Sequence, residues 1–189
     1  MRRTTLFSLA TAALTLIACA DNPASTAPTL TPEGPQFATV FNSSTAPSGA
    51  HYRQGYGEPT CGPTPNALTL TCTGTQIAGV GNTNATVTVG VAYEAVVQCR
   101  NRGGQIVEVK SQVTDATAGG GTFAPRNGTL VVGAVTTDPE PTDATFESQA
   151  ECPNGNWNEE ILGDPVITGW TYSMKFAGFQ QPAILFSGP

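Results

Sequence analysis

Strict alternation of apolar and polar residues dominates the middle of this chain. Val87, Val89, Val91, Tyr93, Ala95, Val97 and Cys99 share one parity, while Thr86, Thr88, Glu94 and Gln98 take the other. A period of two over so long a run predicts a strand with one buried face. The same pattern recurs on a smaller scale. Leu68, Leu70 and Cys72 alternate with Thr69, Thr71 and Thr73, and Val107, Val109 and Val113 alternate with Glu108, Lys110 and Gln112. Leu130 and Val132 mark a strand near 129–135. Val166, Trp170, Tyr172, Met174 and Phe176 mark the longest late strand, and Ile184 to Phe186 a short last one. A further strand is expected around Thr145 to Ala150. Beyond the N-terminal segment no window shows helical periodicity.

Turn residues punctuate these runs. Asn101-Arg102-Gly103-Gly104 separates two strands by a hairpin distance, and Asn127-Gly128 and Asp138-Pro139-Glu140-Pro141 mark further turns. Gly119-Gly120-Gly121 reads as a flexible turn. Seven or eight short strands with this punctuation predict an all-β fold: an antiparallel β-sandwich, immunoglobulin-like, with a small barrel as the competing architecture.

The N-terminus carries a different pattern. Arg2 and Arg3 precede an apolar run from Leu6 to Ile17, the layout of a secretory signal. The run is shorter than the about 20 apolar residues a spanning helix needs. Leu16-Ile17-Ala18-Cys19 resembles a bacterial lipobox. That resemblance implies a signal peptide over 1–18 and a lipid on Cys19. It also implies an extracytoplasmic protein held to a membrane, the outer one where the cell has two, since Ala20 rather than Asp follows. A general signal-peptidase cut after Ala20 is the alternative. Residues 19–60 then read as a Pro/Thr/Ser-rich flexible linker. Coil of roughly 40 residues reaches about 35 Å, enough to lift a domain off a lipid surface. Within it, Phe37 to Phe41 is an apolar exception that can dock as an edge strand, and His51 to Tyr56 reads as ordinary loop. The folded domain is expected over 61–189, long enough for one core.

Charge excludes one class of partner. The chain has a net charge of −6, and loss of Arg2 and Arg3 with the signal takes it to −8. No basic cluster offsets this balance, so nucleic-acid binding is not expected. Four cysteines remain after Cys19: Cys61, Cys72, Cys99 and Cys152. In an exported chain an even number reads as two disulfides. Cys61 with Cys72 and Cys99 with Cys152 is the favoured pairing. A Cys72–Cys99 core bridge is the rival, because both residues point inward by parity. Zinc is disfavoured by the absence of a C-x-x-C spacing and of any histidine after His51.

Three short motifs occur in order: Ala78-Gly79-Val80-Gly81-Asn82, Cys99-Arg100-Asn101-Arg102-Gly103-Gly104 and Cys152-Pro153-Asn154-Gly155-Asn156-Trp157. Together they resemble a group of secreted or lipid-anchored bacterial β-rich proteins with A-G-[LV]-G-N, C-x-N-x-G-G and C-P-N-x-x-W turns. The resemblance covers about residues 70 to 176. It implies fold and location and no particular activity, and it implies Cys99 paired with Cys152.

Candidate chemistry is sparse. His51, the sole histidine, falls in the expected linker, which argues against nucleophile–histidine triads. Glu159 and Glu160 are adjacent, so a strand would point them to opposite faces. Glu151, Glu159 and Asp164 form an acid pair only if the fold gathers them. Asp138, Glu140 and Asp143 place three carboxylates in one loop, a candidate calcium cluster without EF-hand spacing. No cofactor and no resident metal are expected. Trp157 is the candidate binding residue, and Trp157, Trp170 and Tyr172 together could present a flat aromatic face to a glycan or a protein partner. The expectation is therefore a lipid-anchored recognition or adhesion module that is not an enzyme. A structural envelope protein without soluble ligand is the alternative, and a hydrolase with an acid pair the remote one.

Overall fold

A computed structural model describes residues 41–64, 68–138 and 141–189. The signal segment, the lipidation candidate Cys19 and the linker up to residue 40, including Phe37 to Val40, lie outside the described residues. No described helix is long and apolar enough to cross a membrane.

The fold is all-β and antiparallel, with sheets curled over one core. Ten strands run in the order β1 (His51–Tyr52), β2 (Cys61–Pro63), β3 (Leu70–Cys72), β4 (Thr75–Ala78), β5 (Ala85–Asn101), β6 (Ile106–Phe123), β7 (Thr129–Val132), β8 (Val135–Thr136), β9 (Trp157–Phe176) and β10 (Ile184–Gly188). One short helix, α1 (Asp143–Gln149), precedes β9. The count exceeds the expected seven or eight. The additional strands, β1, β2, β4 and β8, are two to four residues long, too short for alternation to register.

Three sheets result. The large one has the order β10-β9-β5-β6, and two small ones run β1-β4-β7 and β2-β3-β8. The long central strand behaves as its parity predicts. Val87, Val89, Val91, Tyr93, Ala95, Val97 and Cys99 are buried, and the other parity is half-buried or exposed. On β9, Tyr172, Met174 and Phe176 lie opposite Val89, Val87 and Ala85 on that same buried face. The small sheets cover this end with Leu70, Ile77, Leu130 and Val132. Buried hydroxyls find partners. Thr75 Oγ1 donates to the Gly57 carbonyl at 2.7 Å, and Thr137 Oγ1 accepts from the Leu70 N–H at 3.0 Å.

Four expectations are corrected. First, residues 41–60 belong to the packed domain rather than to the spacer, so the domain begins before Cys61. The Asn42 N–H donates to the Ala183 carbonyl, Ala46 and Ala50 are buried, and His51 and Tyr52 pair with Ala78 and Ile77. Second, the strand expected near Thr145 is α1. A single apolar anchor, Phe146, is buried on the long sheet, and one buried side chain carries no period-two signal. Third, Gly119-Gly120-Gly121 is not a turn but part of β6. Gly120 has φ +123°, and a Cβ there would strike the Val87 carbonyl, so only glycine lets β6 lie this close to β5. Fourth, the late strand marked from Val166 already begins at Trp157, and it is interrupted by a bulge. Gly163, Asp164 and Pro165 lie between Leu162, opposite Val96, and Val166, opposite Glu94, so that three residues face Ala95 alone. Residues 157–169 of β9 have no strand partner on their outer edge among the described residues.

Both disulfides of the favoured pairing are present. Cys61–Cys72 links directly opposed residues of β2 and β3. Cys99–Cys152 joins β5 to the segment after α1 across 53 residues of sequence. On the loop-entropy model they contribute about 3 and about 4 kcal/mol. The core rival Cys72–Cys99 does not form. The hairpin loops also follow their sequence signals. Asn101 Oδ1 accepts from the Gly103 and Gln105 N–H groups, both at 2.9 Å, and Asn127 and Gly128 take φ +49° and +74° between the bridged residues Arg126 and Thr129.

Candidate functional site

The solvent side of the large sheet holds the site, and register builds it. Ser187 of β10 stands opposite Thr171 of β9, which stands opposite Gly90 of β5. In the next row Gly169 lies opposite Ala92, and Ala92 opposite Thr114 of β6. These rows carry little or no side chain over β5, so a trough crosses the strands. Its volume is about 490 Å³. The row Leu185, Ser173 and Thr88 bounds one side, and the row Val166, Glu94 and Gln112 the other. Leu185 and Val166 are 59% and 52% exposed, so each long wall carries an apolar side chain.

Two local features shape the trough. The β5–β6 register shifts between Val89 and Val91, and Asp115 Oδ1 accepts from the Thr117 N–H at 2.8 Å, which holds the β6 backbone where it departs from regular pairing. At the β10 end, a Cβ on Gly188 would overlap the Trp170 indole, so glycine permits the indole to lie against that backbone. Phe186 meets Trp170 edge-on at 5.5 Å and stacks on Tyr172 at 5.0 Å.

The lining chemistry is neutral apart from Asp115. Thr114, Thr171 and Ser187 are exposed hydroxyls that both donate and accept, and no Lys or Arg lines the space. Along one wall Glu94 accepts from Lys110 Nζ at 2.7 Å and from Gln112 Nε2 at 3.2 Å, and these bonds lower its pKa. Such a surface suits a neutral hydrogen-bonding ligand better than an anion.

The sequence-derived candidates do not converge. Trp157 begins β9 opposite Asn101, half-buried at the far end of the long strands. The β5 partners of Trp157 and Trp170, Asn101 and Val91, lie ten residues apart, roughly 33 Å at the usual rise. Tyr172 is 1% exposed, so the aromatic face of Trp157, Trp170 and Tyr172 does not assemble. Glu151, Glu159, Glu160 and Asp164 are exposed, and Glu159 and Glu160 stand opposite Cys99 and Gln98 on different faces. His51 lies in β1 and its Nδ1 is 2.8 Å from the Gly49 carbonyl oxygen. Of the calcium candidates, Asp138 donates its N–H to the Ala118 carbonyl, Asp143 sits in the first turn of α1, and Glu140 is outside the described residues. Among the described residues no group of three or more His, Cys, Asp or Glu could hold a metal ion.

Gly90, Gly169, Thr114, Thr171 and Ser187 escaped the sequence reading. A signal existed: Gly90 and Gly169 interrupt runs that otherwise read as strand, and an interior strand glycine marks a bulge or a close approach. A scan against protein-family models, a search of curated proteins and a search of solved structures each return no match.

Proposed function

We propose that this chain is a lipid-tethered extracytoplasmic recognition module, a binding protein rather than an enzyme. The trough across the large sheet would be its recognition surface, and its partner a neutral glycan or a protein surface. The single observation that carries this reading is the cavity of about 490 Å³, in the size range of ligand sites and lined by convergent hydroxyls. The two disulfides fit an oxidising compartment, and the Leu16-Ile17-Ala18-Cys19 pattern supplies the tether. The test is binding of neutral glycans on an array, comparing the native chain with Ala92→Tyr, which fills the trough, and with Trp157→Ala. Binding lost only in Ala92→Tyr supports the trough; binding lost only in Trp157→Ala moves the site to the far tip. Mass spectrometry of the mature N-terminus checks the tether, which predicts a diacyl or triacyl mass on Cys19.

A structural envelope role has one observation of its own. Val96, Leu162 and Val166 are neighbours on the open face and are 36%, 36% and 52% exposed. Sedimentation of the native chain that shows self-association, reversed by Leu162→Lys, would favour that role.

A further inference from the structure

Two phenol hydroxyls in the interior lack a protein partner among the described residues. They are Tyr52 Oη and Tyr172 Oη, both removed from solvent. Register places them in facing layers. Tyr52 stands opposite Ile77, itself opposite Leu130, on the inward face of the β1-β4-β7 sheet. Tyr172 stands opposite Val89 on the inward face of the large sheet. The rings are held from the side, Tyr52 by Phe41 at 5.4 Å and Tyr172 by Phe186 at 5.0 Å. Neither ring can swing out to reach solvent without breaking that packing.

We propose that Tyr52 and Tyr172 form an internal water-binding site between the two layers, through which the 41–60 segment is hydrogen-bonded to the large sheet. Buried hydroxyls that make no hydrogen bond are costly, and two in one core would be unusual for a native protein. A bridging water needs two to four polar partners. The two phenols supply two, and Glu58 is close enough to Tyr52 to act on it electrostatically, as Tyr172 is. Burial raises the pKa of both phenols, so each stays a neutral donor and acceptor across the working pH range. A negative carboxylate nearby disfavours an anion. A neutral molecule that donates and accepts at once in a closed interior is water.

This water site is independent of what the trough binds. Its test is a double-mutant cycle on the full chain with Tyr52→Phe and Tyr172→Phe, read by thermal unfolding and by a high-resolution crystal structure. Expected is a Tm drop of about 2–4 °C for each single variant, the shift of one lost hydrogen bond in a chain this size. The double variant should fall little further than either single, because both phenols hold the same water. The crystal structure should show a water within hydrogen-bonding distance of both oxygens. Single variants that raise Tm would overturn the proposal, since they would show hydroxyls with nothing to lose. So would a direct bond between the two phenol oxygens with no water present.

Discussion

The long sheet has two ends that are covered in different ways. At one end, Val87, Val89 and Val91 of β5 face the small sheets, and their exposure is 1% or less. At the other, beyond Tyr93, the same strands continue with, among the described residues, only α1 and its flanking chain over them. There Val97 and Cys99 of β5 are still buried, but Val107 opposite Cys99 is 41% exposed. Packing of sheet on sheet needs no special device, because alternation delivers an apolar face from both layers. A seven-residue helix cannot do this. It places one buried side chain, Phe146, accepts a 2.6 Å hydrogen bond from Ser111 Oγ at the Phe146 carbonyl, and is tied down by Cys99–Cys152. The far end is therefore held by a few strong interactions where the near end is held by many ordinary ones. Loss of one of those few should be felt locally.

The sharpest way to break this contrast is Phe146→Ala. It should cost about 3–5 kcal/mol, the usual range for deleting a buried aromatic side chain. Hydrogen exchange should then rise over 93–113 while 85–91 stays protected. Equal loss at both ends would mean that the sheet is one cooperative unit. Removing the staple with Cys99→Ala and Cys152→Ala together should cost about 2–4 kcal/mol in chemical denaturation, again with exchange rising at the far end. Cys61→Ala with Cys72→Ala should cost less, because its loop is shorter, and should loosen the other end. Ser111→Ala should cost about 1–2 kcal/mol by leaving the Phe146 carbonyl without its donor. The smallest effect belongs to Glu94. Its pKa is lowered in the fold by hydrogen bonds from Lys110 and Gln112. The stability it adds is thus present above the unfolded carboxyl pKa and lost as pH falls through the lowered folded value. Glu94→Gln should leave the midpoint nearly unchanged at neutral pH and flatten the acid limb slightly, because the pair is exposed to solvent.

The near end was legible in the sequence, and the far end only in part. Val87 to Cys99 announces its buried face because seven residues of one parity survive into the structure without a slip on that face. The disulfide partners were legible because Cys61 and Cys72 bracket one hairpin, and the longer pairing followed. The helix was not, since Phe146 alone cannot set a period. Nor were β1 and β8, whose pairing partners lie far away in sequence, or β2, which is only three residues long. The trough was legible only as two glycines, Gly90 and Gly169, inside runs that otherwise read as strand. It exists because Ser187, Thr171 and Gly90 fall in one row through unbroken pairing, while register shifts at Val89/Val91 and Ala92/Tyr93 set the neighbouring stretches of β6 and β9. The aromatic face failed because two tryptophans on one strand, near in sequence, lie roughly 33 Å apart in space.

The Gly163-Asp164-Pro165 bulge has a consequence for crowding. A long strand edge with no neighbour is a template on which another chain can add its own strand. Here the row of donors is interrupted midway, because Pro165 has no N–H to offer and the three bulged residues throw the spacing out of step. Glu159, Glu160 and Asp164 place negative charge along the same stretch, so two copies meeting edge to edge would repel. Copies of this chain crowded at high local concentration, as the proposed tether would make them, would then remain separate rather than grow into fibrils.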